Sequence, residues 1–267
     1  MTQKTSTGGK KGLRVLGPED IFRFDCRRSF DCFTRCCRDI TIFLTPYDII
    51  RMKNSLQLSS GEFLNRYTVT MIAESGLPVV VLKMQPDDEK SCPFVNRNGC
   101  RIYPDRPWAC RLYPLQPEST KITEKAGKVY YSVIDVPFCR GLEEDRAVTL
   151  AEWIEEQGIP VYLAMEAPFK KVVASDRLTQ ATITNKKIQE MIYMACYDLD
   201  RFRRFVLEST FLERFEVEPQ EVEIIKTDDA ALYRLALKWL KYGLLAQHVL
   251  KVKSAVYAAG KQELGIK

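Results

Sequence analysis

The stretch FDCRRSFDCFTRCCRD, residues 24–39, decides how this chain is read. It places Cys26, Cys32, Cys36 and Cys37 close together, the last two adjacent. Disulfides, a metal, redox chemistry and core packing are the four readings. The start of the chain, MTQKTSTGGKKG, is polar and basic and lacks the apolar segment of a secretory signal. A mobile tail on a cytoplasmic protein is therefore expected. Thiols stay reduced in that compartment, which argues against a disulfide framework. The adjacent pair adds a geometric constraint. Neighbouring side chains diverge by about 100° on a helix and take opposite faces on a strand. One tetrahedral ion would accept both Cys36 and Cys37 only with a distorted backbone. The pair points instead to two nearby metal positions, or to one ligand beside a reactive thiol.

Four more cysteines follow before residue 140: Cys92, Cys100, Cys110 and Cys139. The spacings are C-x5-C-x3-C-C and then C-x7-C-x9-C. None repeats the C-x2-C of a zinc ribbon. The chemistry of metal binding still holds, because thiolates are the soft ligands selected by zinc, Cu(I) and iron–sulfur clusters. Eight thiols supply two sets of four, or one set with thiols to spare. A redox dithiol without metal would sit best at Cys36-Cys37. Cys196, inside the apolar stretch MIYMACYDL, reads as a buried core residue.

The chain has nine cysteines and one histidine, His248. A single imidazole excludes every site that needs two, including paired Cys/His fingers, His-Glu-x-x-His proteases and two-His iron triads. A net charge of +5 arises from 40 basic and 35 acidic residues spread along the chain, with no dense basic stripe for nucleic acid. No apolar run is long enough for a membrane-spanning helix. The arginines of RFRRF, 201–205, read as a solvated helix face, and His248 as a residue of the last helix.

Local signals give the organisation. Thr45-Pro46 predicts a capped helix through Met52, and Ser59 with Glu62 a capping box for the next. LPVVVLKM, 77–84, and KVYYSVIDV, 128–136, read as strands, and Asn98-Gly99 as a hairpin turn. Thr149 and Glu152 cap a helix that ends at Gly158. Helical periodicity then runs from about 185 to 213, and a final helix starts after Asp228 or Asp229. The expected fold class is α+β: a loop-rich cysteine-cluster region with short strands, then a mainly α-helical C-terminal half. The expected boundaries are a tail over 1–18, a metal-binding domain over 19–145 and a helical region over 146–267.

Three blocks carry a family resemblance: DCFTRCCRDITIFLTPYDIIRM, CPFVNRNGCRIYPDRPWACRLYP and FCRG. Together they resemble the YkgJ-type cysteine-cluster family, described as a zinc- or iron-chelating domain and named for a CxxCxxCC motif. The chain is also similar to flagellin lysine-N-methylases, which share that domain. The resemblance implies a chelated metal and places ligands at Cys32, Cys36, Cys37, Cys92, Cys100, Cys110 and Cys139, with Cys26 opening the motif. Here the opening spacing is x5 and x3 where the family name implies x2 and x2, so Cys26 departs furthest from the pattern.

Two functions follow as expectations. The first is an iron–sulfur protein with a redox or protein-modifying role, which as an enzyme would be an oxidoreductase or resemble a protein lysine methylase. The alternative is a structural zinc module that supports a protein-interaction surface. A thiol-based redox or metal sensor is a third reading. The expected partner is a protein substrate or binding partner, with neither nucleic acid nor membrane. No methyl-donor motif, G-x-G-x-x-G or P-loop accompanies the cysteines.

Overall fold

The computed structural model describes residues 15–118 and 130–253. Within them the fold is α+β, with short strands mostly in the first half and helices mostly in the second. The chain divides into two compact units, each discontinuous: one comprises 1–36 and 109–160, the other 37–108 and 161–267. Each unit takes chain from more than one of the three expected regions. Of the expected tail, residues 1–14 lie outside the described part, whereas Val15–Leu16 form a strand.

The first unit contains β1 (Val15–Leu16), β2 (Ile21–Arg23), α3 (Trp108–Leu112, from Ala109 on), β8 (Leu115–Glu118), β9 (Tyr130–Val133), β10 (Ala147–Thr149) and α4 (Leu150–Glu156). A three-stranded sheet runs in the order β1-β9-β8, and β2 pairs antiparallel with β10. Of the expected strand over 128–136, Tyr130–Val133 forms, and 128–129 lie outside the described residues. The core gathers around Trp153, which meets Phe22 and Phe24 edge to face at centroid distances of 5.8 and 5.4 Å. Thr149 and Glu152 form the expected capping box of α4. Gly158 follows in the left-handed conformation, φ +62°, that favours glycine.

The second unit holds β3 (Phe43–Leu44), α1 (Pro46–Ser55), α2 (Ser60–Tyr67), β4 (Thr68–Ile72), β5 (Pro78–Leu82), β6 (Val95–Asn96) and β7 (Gly99–Cys100). Its later part is helical: α5 (Ile159–Val173, from Val161 on), α6 (Gln180–Ile183), α7 (Lys186–Cys196), α8 (Leu199–Glu208), α9 (Phe211–Arg214), α10 (Pro219–Ile225) and α11 (Asp229–Leu245). Thr45 and Ser59 both make the expected capping boxes. The sheet order is β3-β5-β4, and β6 pairs with β7 across the Asn98-Gly99 turn, where Gly99 has φ +110°. Phe202, Phe205, Phe211 and Trp239 pack as an aromatic cluster.

Three local expectations are corrected. The periodic run over 185–213 is three helices, because side-chain chemistry interrupts it. At the first break the Ser60 hydroxyl donates to Asp198 at 2.7 Å, and the Ser60 amide donates to Asp200 at 2.6 Å. At the second, the Ser209 hydroxyl bonds back to the Phe205 carbonyl at 2.5 Å. Arg203 is no solvated residue of the 201–205 face: it is paired with Asp200 and Asp229. His248 lies beyond the last helix, exposed in a turn. Arg177 caps α11 by donating to the Leu245 carbonyl at 2.6 Å, and Ala246 turns left-handed at φ 50°.

Candidate metal centre

The nine cysteines carry thiols rather than disulfides. Their arrangement is built separately in each unit.

In the first unit, Cys26 follows directly from β2. The β2–β10 pairing continues past the strand, where the Phe24 amide donates to Arg146 and the Asp25 amide to Gly141, both at 3.0 Å. Gly141 is required at that crossing. A Cβ there would stand 2.8 Å from both the Asp25 carbonyl oxygen and the Phe24 ring. This close approach carries Cys139, two residues before Gly141, alongside Cys26. The 30s loop is fastened to the same segment. Arg35 stacks over the Phe138 ring at 4.7 Å, and Arg140 reaches Asp31 at 3.8 Å. Within the loop the Arg35 amide donates to the Cys32 carbonyl at 2.9 Å, a turn that brings Cys32 toward Cys36.

The result is a set of four sulfurs. Burial pushes the Cys26 thiol up to about 11, helped by the neighbouring thiols Cys36, Cys139 and Cys32 and by Asp25. The residue as a whole is exposed, so the neighbouring thiols are the more informative cause. Charge on those neighbours disfavours a thiolate at Cys26. Nearby arginines have other partners: Arg27 binds Asp25 and Glu144, and Arg140 binds Asp31 and Glu143. A bound cation is the natural remedy for such a set, because it drives deprotonation and neutralises the sulfurs together.

Tyr113 closes one side. Its ring meets Phe24 at 6.0 Å, and its buried hydroxyl has no hydrogen bond of full geometry. Burial raises the phenol well above its usual range, and the adjoining Cys139, with Cys36 and Cys26 beyond, raises it further. Cys110 lies half-buried on α3, three residues before Tyr113.

The second unit builds a different set. A bridge between Arg38 and Ser91 makes Cys37 and Cys92 cross-strand neighbours, and the Cys92 amide donates to the Cys37 carbonyl at 2.9 Å. Directly opposed residues project from the same face. The β6–β7 hairpin then returns the chain to Cys100, which pairs in register with Val95. Burial raises the Cys92 thiol. The amides of Phe94 and Val95 oppose that shift by donating to its sulfur, Cys100 adds to it, and Arg101 lowers it. Donor amides aimed at a sulfur favour its thiolate, as a ligand requires. The adjacent Cys36 and Cys37 thus fall in different units, each among different sulfurs.

The sulfurs are gathered but not closed. Among the described residues, no three His, Cys, Asp or Glu side chains already stand as coordinating ligands. Cys196 is fully buried in α7, with Glu166 as its charged neighbour. Sequence reasoning assigned no role to Tyr113 or Gly141. Tyr113 sits in the quoted CRLYP block and Gly141 in FCRG, but a lone Tyr or Gly carries no chemical signature without its neighbours.

Residues 25–130 match the model of a family described as "CxxCxxCC: Putative zinc- or iron-chelating domain". The matched segment includes seven of the eight cysteines and ends before Cys139. Searches of curated proteins and of solved structures returned no match. No helix among the described residues is long and apolar enough to cross a membrane. Across residues 25–130, the chain is thus similar to the CxxCxxCC family, described as zinc- or iron-chelating.

Proposed function

We propose that the chain is a metal-chelating protein whose clustered thiolates hold iron as an iron–sulfur cluster. The observation that carries the reading is the convergence of Cys32, Cys36 and Cys139 on Cys26, fastened by the Gly141 crossing and the Arg35–Phe138 and Arg140–Asp31 contacts. Four thiolates without imidazole form a soft donor set suited to such a cluster. Cys37, Cys92 and Cys100 form a second set of three. Fewer than four protein thiolates leaves a coordination position for substrate, which supports a redox or protein-modifying role. When bound, a cluster would supply one-electron chemistry. The chain's own contribution is to orient the sulfurs. The Phe94 and Val95 amides hold Cys92, Gly141 lets Cys139 approach Cys26, and the buried Tyr113 hydroxyl adjoins Cys139.

The reading is tested by purifying the chain without oxygen and measuring iron, sulfide and zinc per chain, together with the visible spectrum. Brown protein with iron and sulfide, bleached by Cys36→Ala or Cys139→Ala, is expected. Colourless protein with zinc and no sulfide overturns the cluster in favour of a structural zinc module, whose closed four-thiolate site would serve folding.

A further inference from the structure

Strand β4 lies at the edge of its sheet, and its exposure is unusual for a strand. Val69, Met71 and Ile72 are 47%, 53% and 53% exposed. Val69 stands in one row with Val81 and with Phe43, itself 59% exposed, and Met71 lies beside Val79. One face of the sheet is thus an apolar strip that reaches the open edge. Such an edge normally carries charge, proline or a bulge. None occurs within β4.

The backbone of β4 is equally open. The Lys83 amide donates to Tyr67 and the Ala73 amide to Leu77. Alternation along an antiparallel ladder then turns 67, 69, 71 and 73 toward β5, and 68, 70 and 72 outward. The Thr68 amide is used by the Leu64 carbonyl. The outward amides of Thr70 and Ile72 have no backbone acceptor among the described residues.

We propose that β4 pairs with β4 of a second copy of this chain, antiparallel about a two-fold axis at Thr70. In that register the two Thr70 residues exchange both backbone bonds, and each Ile72 amide donates to the opposing Thr68 carbonyl. Val69 of one copy packs beside Met71 of the other, so the apolar strip continues through both sheets. The flanks agree in charge. Exposed Arg66, in the last turn of α2, and Glu74, in the turn after β4, flank the strand at its two ends, and neither forms an ion pair among the described residues. Two-fold pairing brings Arg66 of each copy toward Glu74 of the other. Identical antiparallel edges are self-complementary, which is the requirement for a closed dimer. The interface is short, so the dimer belongs with weak, small interfaces.

Sedimentation velocity on the full chain, without oxygen and with reductant, tests the pairing. A reversible dimer in the micromolar range is expected. Thr70→Pro removes the central donor without touching the β5 ladder, since proline is tolerated at an outward edge position. It should leave a monomer of unchanged circular dichroism. Arg66→Glu and Glu74→Arg should each raise the dimer dissociation constant by about tenfold, and the double reversal should restore it. A wild-type monomer across that range, a dimer that survives Thr70→Pro, or a double reversal no better than the singles would overturn the proposal.

Discussion

The Cys92 amide donates to the Cys37 carbonyl at 2.9 Å, so two cysteines far apart in sequence face each other across one ladder. Cys26, Cys32, Cys36 and Cys139 gather around a different fastening. Two sulfur sets predict two kinds of metal loss. Cys37→Ala and Cys92→Ala should remove the same increment, and the double variant no more than either single. Combining Cys92→Ala with Cys139→Ala should remove the sum, because the pair spans both sets. Metal content per chain by elemental analysis decides it. If Cys92→Ala alone empties the protein of all metal, the two-set arrangement is wrong.

Gly141→Ala introduces a methyl group 2.8 Å from the Asp25 carbonyl and the Phe24 ring. Backbone stands on one side of it, so the two segments must part. Overpacking of this kind costs about 1–3 kcal/mol. Chemical denaturation should show that loss. Chelator challenge should show faster metal release than from wild type. Unchanged release would mean that the Cys139–Cys26 approach is irrelevant to the ligand set.

Glu166 predicts how stability depends on pH. It is 4% exposed in the core of the second unit and accepts the Tyr47 amide at 3.0 Å. Burial pushes its carboxyl up to about 7, offset in part by the Tyr47 bond, with Asp48 adding to the rise. The folded chain therefore holds this proton more tightly than the unfolded chain does. Its contribution is fully present below the unfolded value, near 4.5. It falls as pH rises toward 7 and is flat above. The loss is on the order of 3 kcal/mol. Glu166→Gln keeps the acceptor and removes the titration. Urea midpoints from pH 5 to 8 should fall more steeply for wild type than for the variant. Parallel curves would show that Glu166 titrates normally.

Lys53 is 5% exposed, 2.7 Å from Asp229 and 3.9 Å from Asp200. Arg203 holds the same two carboxylates. Lys53→Ala leaves one cation for two largely enclosed anions and should destabilise the chain by about 3 kcal/mol, read as a lower denaturant midpoint. Lys53→Arg should recover part of it. A midpoint unchanged in Lys53→Ala would show that Arg203 suffices.

Wherever a few neighbouring residues decide the conformation, the reading from sequence holds. Thr45, Ser59 and Thr149 cap their helices with the acidic partner three residues on, and Gly99 turns the hairpin. The break at Asp198 was illegible, because it depends on Ser60, which no local window contains. The role of Arg203 was illegible for the same reason, since Asp229 arrives from α11.

By itself the sequence determined the available donors: many thiols and one imidazole, hence soft ligands without histidine pairs, most of them in the segment similar to a zinc- or iron-chelating family. Composition and spacing suffice for that, because ligand softness belongs to the side chain. Which sulfurs meet was decided by tertiary structure. The close crossing at Gly141 sets Cys139 beside Cys26, and the Arg38–Ser91 bridge sets Cys92 opposite Cys37. Those neighbours are chosen by backbone pairing between distant segments, which spacing along the chain does not encode.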